Sequence, residues 1–290
     1  MNRTGLSAAK IYCSFKNDWR PFTPLGAVFA FILLPLMLTL PLSGPAGEEQ
    51  DPKVSELKKA IAALVASVRR STEAMNGPGQ PLQESPRFSM ANDGHLRSLG
   101  APPSHYFPVT SVVPADPEAT ARNFMQEQGK VFGIRSPAVD FSTLSVKTRG
   151  SRCYVRFQQT YRGLPVFASE IIVQLNTLGG VESVLSDIMR DTENLDAGNV
   201  STVPSISEDD ARQAALRLLA DKNPTLELQA SEAALMIYEP SVVGNSGPEQ
   251  LVWQITVLSV GKVGVNELVL VDAHSGKIAL HYSQIMGEKS

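Results

Sequence analysis

The side chains able to do chemistry in this chain are few and scattered. Its four histidines are His95, His105, His274 and His281. A zinc hydrolase of the common helical type needs His-Glu-x-x-His, with two imidazoles one turn apart on the metal and a glutamate to activate water. None of the four precedes Glu, so that chemistry is absent from the sequence. His274 and His281 sit near Asp272 around one hairpin, which makes three candidate ligands. Asp and His are also ordinary turn and surface residues, and without convergent, closely packed ligands the turn reading is the better one. Nucleophilic chemistry fares no better. Gly244-Asn245-Ser246-Gly247-Pro248 approaches Gly-x-Ser-x-Gly but ends in proline and lies in a loop, not a strand-to-helix elbow. Cys153 alternates with Val155 and Phe157 and reads as an inward strand residue. Gly179-Gly180 joins two extended segments and cradles no phosphate. The acidic run Glu208, Asp209 and Asp210 suits the first turn of a helix, where the dipole favours carboxylates. No catalytic, cofactor or metal residue is assigned, and the chain is expected to be no enzyme.

Composition narrows the classes further. The 290 residues are 43% hydrophobic and 19% charged, an ordinary globular balance with length for one or two domains. The formal charge is −3. Arg3, Lys10, Lys16 and Arg20 face only Asp18 near the start, which leaves the rest more acidic still. Such a body lacks the concentrated basic face that nucleic acid requires. An uncharged apolar run opens at Leu25 and closes at Leu42, behind the basic leader and ahead of Ser43-Gly44-Pro45-Ala46-Gly47. This is an export signal. Its length suits a membrane anchor, whereas Pro35, Pro41 and the small residues after it suit cleavage. The positive leader stays cytoplasmic in either case. Cys13 lies in the leader and Cys153 in the body, so no intrachain disulfide is expected.

The elements that would position any site follow from periodicity. Residues 55–75 read as an amphipathic helix, with Leu57, Ile61, Leu64, Val65 and Val68 opposite Lys58, Lys59, Arg69 and Arg70. It is a spacer or a docking helix, closed by Asn76-Gly77-Pro78-Gly79-Gln80-Pro81. Asp116-Pro117-Glu118 starts a second helix, with Ala121, Phe124, Gln128 and Val131 on one face and Gly133 at its stop. Extended segments are expected at residues 139–147, 152–161, 166–176 and 181–189. Residues 191–204 are polar and turn-rich. Ser207 through Asp210 resembles a capping box, opening a helix that buries Ala211, Ala214, Ala215, Leu218 and Leu219. Strands at 233–239, 251–259, 265–272 and 277–283 follow, the last two joined by Ala273-His274-Ser275-Gly276. The order of helix then antiparallel strands occurs twice, a shared architecture without sequence identity.

Arg87-Phe88-Ser89, Asp116-Pro117-Glu118, Val131-Phe132-Gly133-Ile134 and the block of residues 156–176 together resemble the fungalysin/thermolysin propeptide domain. Residues 206–285, ending in Leu270-Val271-Asp272-Ala273-His274-Ser275-Gly276-Lys277-Ile278, are similar to the PepSY domain that follows it in thermolysin-type precursors. The resemblance covers roughly two thirds of the chain in the family's order. It implies an α+β fold of two modules, each a helix packed on an antiparallel β-sheet, cystatin-like by family analogy. The division expected is a signal peptide or membrane anchor at 1–46 and a spacer at 47–86. The propeptide-like domain takes 87–190, a linker 191–205, and the PepSY-like domain with its tail 206–290.

In that family the propeptide assists folding of the catalytic domain and inhibits it until cleavage. The expected function is therefore that of a non-catalytic, exported propeptide-type protein that inhibits or helps to fold a thermolysin-type zinc metallopeptidase. A pro-region whose catalytic part has been lost is the second expectation, and a binding module tethered to the membrane through the run from Leu25 to Leu42 is the third. The expected compartment is periplasmic or extracellular. The partner is the metallopeptidase catalytic domain; no cofactor and no nucleic acid are expected. Candidate interface residues are Gln159, Tyr161, Arg162 and Phe167 in the block, and His281, Tyr282 and Ile285 near the end. The block has a plainer reading too: Gln158 and Gln159 on opposite strand faces, Gly163-Leu164-Pro165 as a bend, and Val166 and Phe167 as core.

Overall fold

Apolar residues three and four apart make the first described stretch a helix, α1 (Pro52–Ala66), and alternation takes over in the strands beyond it. The computed structural model describes residues 52–70, 84–113, 115–134, 139–261 and 264–285, all within one compact unit of residues 49–290. The apolar run from Leu25 to Leu42 lies outside the described residues. Among those described, no helix is long and apolar enough to cross a membrane. After α1 come β1 (Arg69–Arg70), β2 (Arg87–Met90), β3 (Leu96–Gly100), β4 (His105–Tyr106) and α2 (Pro117–Gln128), which tightens into a 3-10 turn at Gly129–Phe132. The meander β5 (Val139–Arg149), β6 (Arg152–Tyr161), β7 (Leu164–Asn176) and β8 (Val181–Asp187) follows. A helical turn, α3 (Glu193–Asp196), leads to α4 (Glu208–Ala220), β9 (Leu228–Ala230) and β10 (Ala234–Tyr238). The chain closes with β11 (Gln250–Ser259), β12 (Asn266–Asp272) and β13 (Ile278–Ser283).

The first helix–sheet layer forms where the sequence places it. Asp116 accepts a hydrogen bond from the Ala119 amide at 2.9 Å and Pro117 takes the first helical position. Ala121, Phe124 and Met125 of α2 are buried against Val155 and Phe157 of β6 and Ile171, Val173 and Leu175 of β7. Arg122 locks the helix to the sheet. Its guanidinium donates to the Phe141 carbonyl at 2.8 Å and to the Thr143 hydroxyl at 2.7 Å, and lies 4.9 Å over the Phe157 ring.

Two parts of this unit depart from the sequence reading. The helix expected at 55–75 ends at Ala66, where Ser67 turns back to bond the Leu64 carbonyl. It is no free spacer: Ile61 and Leu64 are buried in the same core as α2, with Leu57, Val65 and Val68 packed around them. The apolar stripe was legible, and its partner is this chain's own core. The strands β2 and β3 were not anticipated. They extend the sheet beyond β8, with Leu99 opposite Val184 and Phe88 opposite Leu99.

The second layer is built on Ser207, whose side chain caps the Asp210 amide while Asp210 returns to the Ser207 amide. Ala211, Ala215 and Leu219 are buried against Ile255, Val257, Val269 and Val271. Asp272 accepts from the amides of His274 and Ser275, and Gly276 takes φ 72° to close the β12–β13 hairpin. The two layers share one sheet, in the order β13, β12, β11, β10, β7, β8, β3, β2, with β6 and β5 branching from β7 and β9 pairing with β11. The join is a parallel contact that places Val166 of β7 opposite Ile237 of β10.

Gly133 ends the 3-10 turn at φ 87°, and a Cβ there would stand 2.8 Å from the Arg190 Cδ and 3.2 Å from the His95 ring. Arg190 cannot yield easily, because it donates to the carbonyls of Phe132, Leu96, Ser186 and Ile188. Gly133→Ala is expected to destabilise the fold by about 2–4 kcal/mol through strain and overpacking, read as a lowered urea midpoint.

Candidate functional site

The block of residues 156–167 occupies the end of β6, a hairpin turn and the start of β7. Arg162 and Gly163 both have positive φ, 48° and 83°, between the paired residues Tyr161 and Leu164. That is a two-residue hairpin turn whose twist matches the strands. Leu164 and Pro165, expected in the bend, already belong to β7. Arg156 pairs with Glu170 across the sheet, beside the pairs Arg97 with Asp187 and Arg152 with Glu182. These three ion pairs lie on the face away from the helices and make it a solvated one.

The two glutamines hold an irregularity in β7. Gln158 pairs with Glu170 and Thr160 with Pro165, so Gln159 alone stands opposite residues 166–169. This wide bulge, with Ala168 at φ 56°, takes β7 out of the ladder with β6 for four residues. Its backbone groups need partners, and Gln158 supplies them for two carbonyls. The Gln158 Nε2 donates to the Val166 carbonyl at 2.6 Å and to the Ser169 carbonyl at 2.9 Å. Gln159 is fully buried, and its amide pairs with the backbone of Met189 in both directions at 2.8 Å. It acts as a surrogate peptide group, continuing the ladder after β8 stops at Asp187. Ser169 donates to the Gln159 Oε1 and accepts from the Met189 amide.

The bulge sends Val166 and Phe167 toward the second layer. Val166 joins Tyr161, Met189, Leu195 and Ile237 in one buried cluster. Phe167 enters another with Tyr238, Val252, Leu268 and Leu270, its ring meeting Tyr238 edge-on at 6.0 Å and 74°. Tyr161 donates from its hydroxyl to Asp196 at 2.8 Å, and Thr192 donates to the other carboxylate oxygen at 2.7 Å. Burial, followed by the bond to Asp196, raises the Tyr161 pKa above its ordinary value. Asn194 of the same turn donates to the buried Glu249 at 3.0 Å, a second polar tie between the layers.

The seven candidate residues therefore separate into three groups. Gln159, Tyr161 and Phe167 face inward at 0%, 0% and 6% exposure, so these side chains form no outer patch; they hold the two layers together. Arg162 is exposed at the turn tip, with its guanidinium 5.2 Å over the Tyr161 ring. His281, Tyr282 and Ile285 lie on β13 and just past it, with β12, β11 and β10 between them and β7. The His281 ring meets Glu267 at 3.3 Å, and His274 bridges Ser205 and the Ser201 carbonyl. The Asp272 carboxylate thus serves the turn's own amides, and the two rings have different partners. Among the described residues, no group of three His, Cys, Asp or Glu side chains converges. Residues that sequence reasoning missed are Ser169, Met189, Thr192, Asp196, Asn194 and Glu249. One signal was available for the glutamine: Gln159 shares its parity with Phe157 and Tyr161, and so had to face the core.

A family model matches this region. Residues 153–188 carry the Fungalysin/Thermolysin Propeptide Motif. The motif spans β6, β7 and β8, so it takes in the glutamine pair, the bulge and the hairpin turn. It belongs to the propeptide region of such peptidases and not to their catalytic domain. Among solved structures, the Bacillus megaterium YpeB C-terminal domain aligns at 12% identity and TM-score 0.31, over 79% of this chain and 96% of its own. An uncharacterized protein from Eubacterium rectale aligns at 9% identity and TM-score 0.36, over 80% of this chain and 83% of its own.

The junction yields two measurable consequences. Gln159→Leu leaves the Met189 carbonyl without its partner in a buried site, and unfolding in urea is expected to show a loss of about 1–3 kcal/mol. Tyr161 titrates with its folded pKa raised, so its contribution is complete below the unfolded value of about 10 and is lost as pH rises through the folded value. Tyr161→Phe is expected to lower stability at neutral pH and to flatten the fall in stability above about pH 10, measured by urea midpoints across the alkaline range.

Proposed function

We propose that this chain is a non-catalytic, exported propeptide-type protein that binds a thermolysin-type zinc metallopeptidase and inhibits it, assists its folding, or both. The observation that carries this reading is the propeptide motif at residues 153–188. The reading gains support from what the motif does within the fold. Gln158, Gln159, Tyr161 and Ser169 are engaged within the fold where the two layers join one sheet. A preorganised sheet covers a cleft with little ordering cost, and edge strands add main-chain hydrogen bonds. Residues 87–190 are assigned as the propeptide-like module, 191–205 as its connection and 206–290 as a PepSY-like module. The basic leader and the apolar run from Leu25 to Leu42 direct export.

The candidate contact surface consists of Arg162 at the turn tip and the strip of His281, Tyr282 and Ile285. Weak contacts suffice where a propeptide and its enzyme are tethered, since effective concentration is then high. A separate partner must bind more tightly. The full chain is expected to inhibit a thermolysin-type catalytic domain in a saturable titration, or to raise its refolding yield from denaturant. Neither inhibition nor a gain in yield at saturating chain would overturn the reading.

A further inference from the structure

The two layers are the same unit built twice, down to the irregularities of their strands. In the first, β5 is interrupted at Leu144, where its register with β6 shifts; in the second, β9 and β10 pair with the two ends of β11 and are separated by residues 231–233. The last hairpins share one irregularity, although their turns differ in length by one residue. Between β7 and β8 the extra residue is Glu182, since Leu175 pairs with Val181 and Gln174 with Ser183. Between β12 and β13 it is Ala279, since Val271 pairs with Ile278 and Leu270 with Leu280. Ile278, Leu280, His281 and Tyr282 are therefore the counterparts of Val181, Ser183, Val184 and Leu185.

The counterpart edges differ in one respect. On β8, residues 183–185 are covered by Gly100, Leu99 and Ser98 of β3, the Glu182 carbonyl accepts from the Ala101 amide at 2.8 Å, and Val181 exchanges two bonds with Phe107. Among the described residues, β13 pairs only with β12. The Gln284 amide bonds to the Asn266 carbonyl at 2.7 Å, which fixes the alternation along β13. Residues 280, 282 and 284 turn their backbone toward β12, and His281 and Ser283 turn theirs to the open edge. The other long edge is guarded: β5 carries Asp140, Lys147 and Arg149 and a bulge at Leu144. From Ile278 to Ser283 there is no lysine, arginine or proline, the devices that blunt an edge.

We propose that β13 is a docking edge for an extended segment of a partner polypeptide, which adds antiparallel over residues 280–282 as β3 adds to β8. The side chains of β13 state the chemistry of the segment. Leu280 lies on the sheet face of Leu268 and Leu270, and Tyr282 beside Leu268, so apolar residues suit the two positions opposite them. His281, beside Glu267 on the other face, calls for a small polar residue between those two. The occupant is an uncharged apolar-polar-apolar strand, held by main-chain bonds to His281 and Ser283. The edge belongs to the fold and not to the peptidase reading.

The test uses the full chain and a short synthetic peptide of alternating valine and threonine flanked by lysines, followed by amide hydrogen exchange. Saturable protection of the His281 and Ser283 amides is expected, weakened about tenfold or more in His281→Pro, where one outward donor is lost and no β12 bond is. Ser283→Pro serves if that variant misfolds, and His281→Val, which installs the residue found in the counterpart strand, is expected to retain binding. Equal binding by a proline variant, protection on β5 or β2 instead, or protection without peptide that rises with chain concentration would each overturn the proposal. The last outcome would identify a second copy as the occupant. Failure of the peptidase titration with peptide binding intact would sink only the peptidase reading.

Discussion

A strand cannot leave its ladder inside a protein unless something else bonds to the peptide groups it abandons, and that constraint governs this structure. β7 leaves β6 for four residues; the Gln158 amide takes up the Val166 and Ser169 carbonyls, while Gln159, left opposite the excursion, bonds the Met189 backbone in both directions. Buried peptide groups without partners are costly enough to forbid the excursion otherwise. With the glutamines present, the front of β7 can lie against β10 while its rear lies between β6 and β8. The shared sheet, the Phe167 contact with Tyr238 and the cluster around Tyr161 all follow from that one allowance.

This gives the motif a physical meaning apart from any partner. Several of its polar residues look like candidates for recognition because they are polar, yet they are engaged within the chain's own fold. Gln159 mimics a peptide unit, Tyr161 anchors Asp196, and Arg156 pairs with Glu170. Under the proposed binding role, recognition falls to what the framework presents at its margins: turn tips and strand edges. The partition suits a protein that works by binding, since the internal polar network fixes the relative placement of the two layers.

The repeated unit explains why one edge stands out. A β-edge attracts other strands, and this chain closes one copy of its edge with the β2–β3 hairpin while in the other copy, among the described residues, the last strand pairs in the sheet with β12 alone. The matching bulges at Glu182 and Ala279 aim both edges alike. The covered copy shows the direction in which such an edge takes a strand, and the side chains of each copy set what that strand must carry.

Much was legible in the sequence because it depended on local spacing. Asp116-Pro117 and Ser207 through Asp210 announced helix starts, alternation placed the long strands within a residue or two, and His274-Ser275-Gly276 marked its turn. The absence of His-Glu-x-x-His is likewise a property of order along the chain. What the sequence could not state was which strands meet. The short pieces β2 and β3 have no period long enough to read, and the stripe of α1 named an apolar face without naming its partner. The burial of Gln159, Tyr161 and Phe167 was hidden for the same reason: a polar or aromatic side chain declares its chemistry locally, but only the pairing of distant strands decides whether it turns to solvent or closes on its own fold.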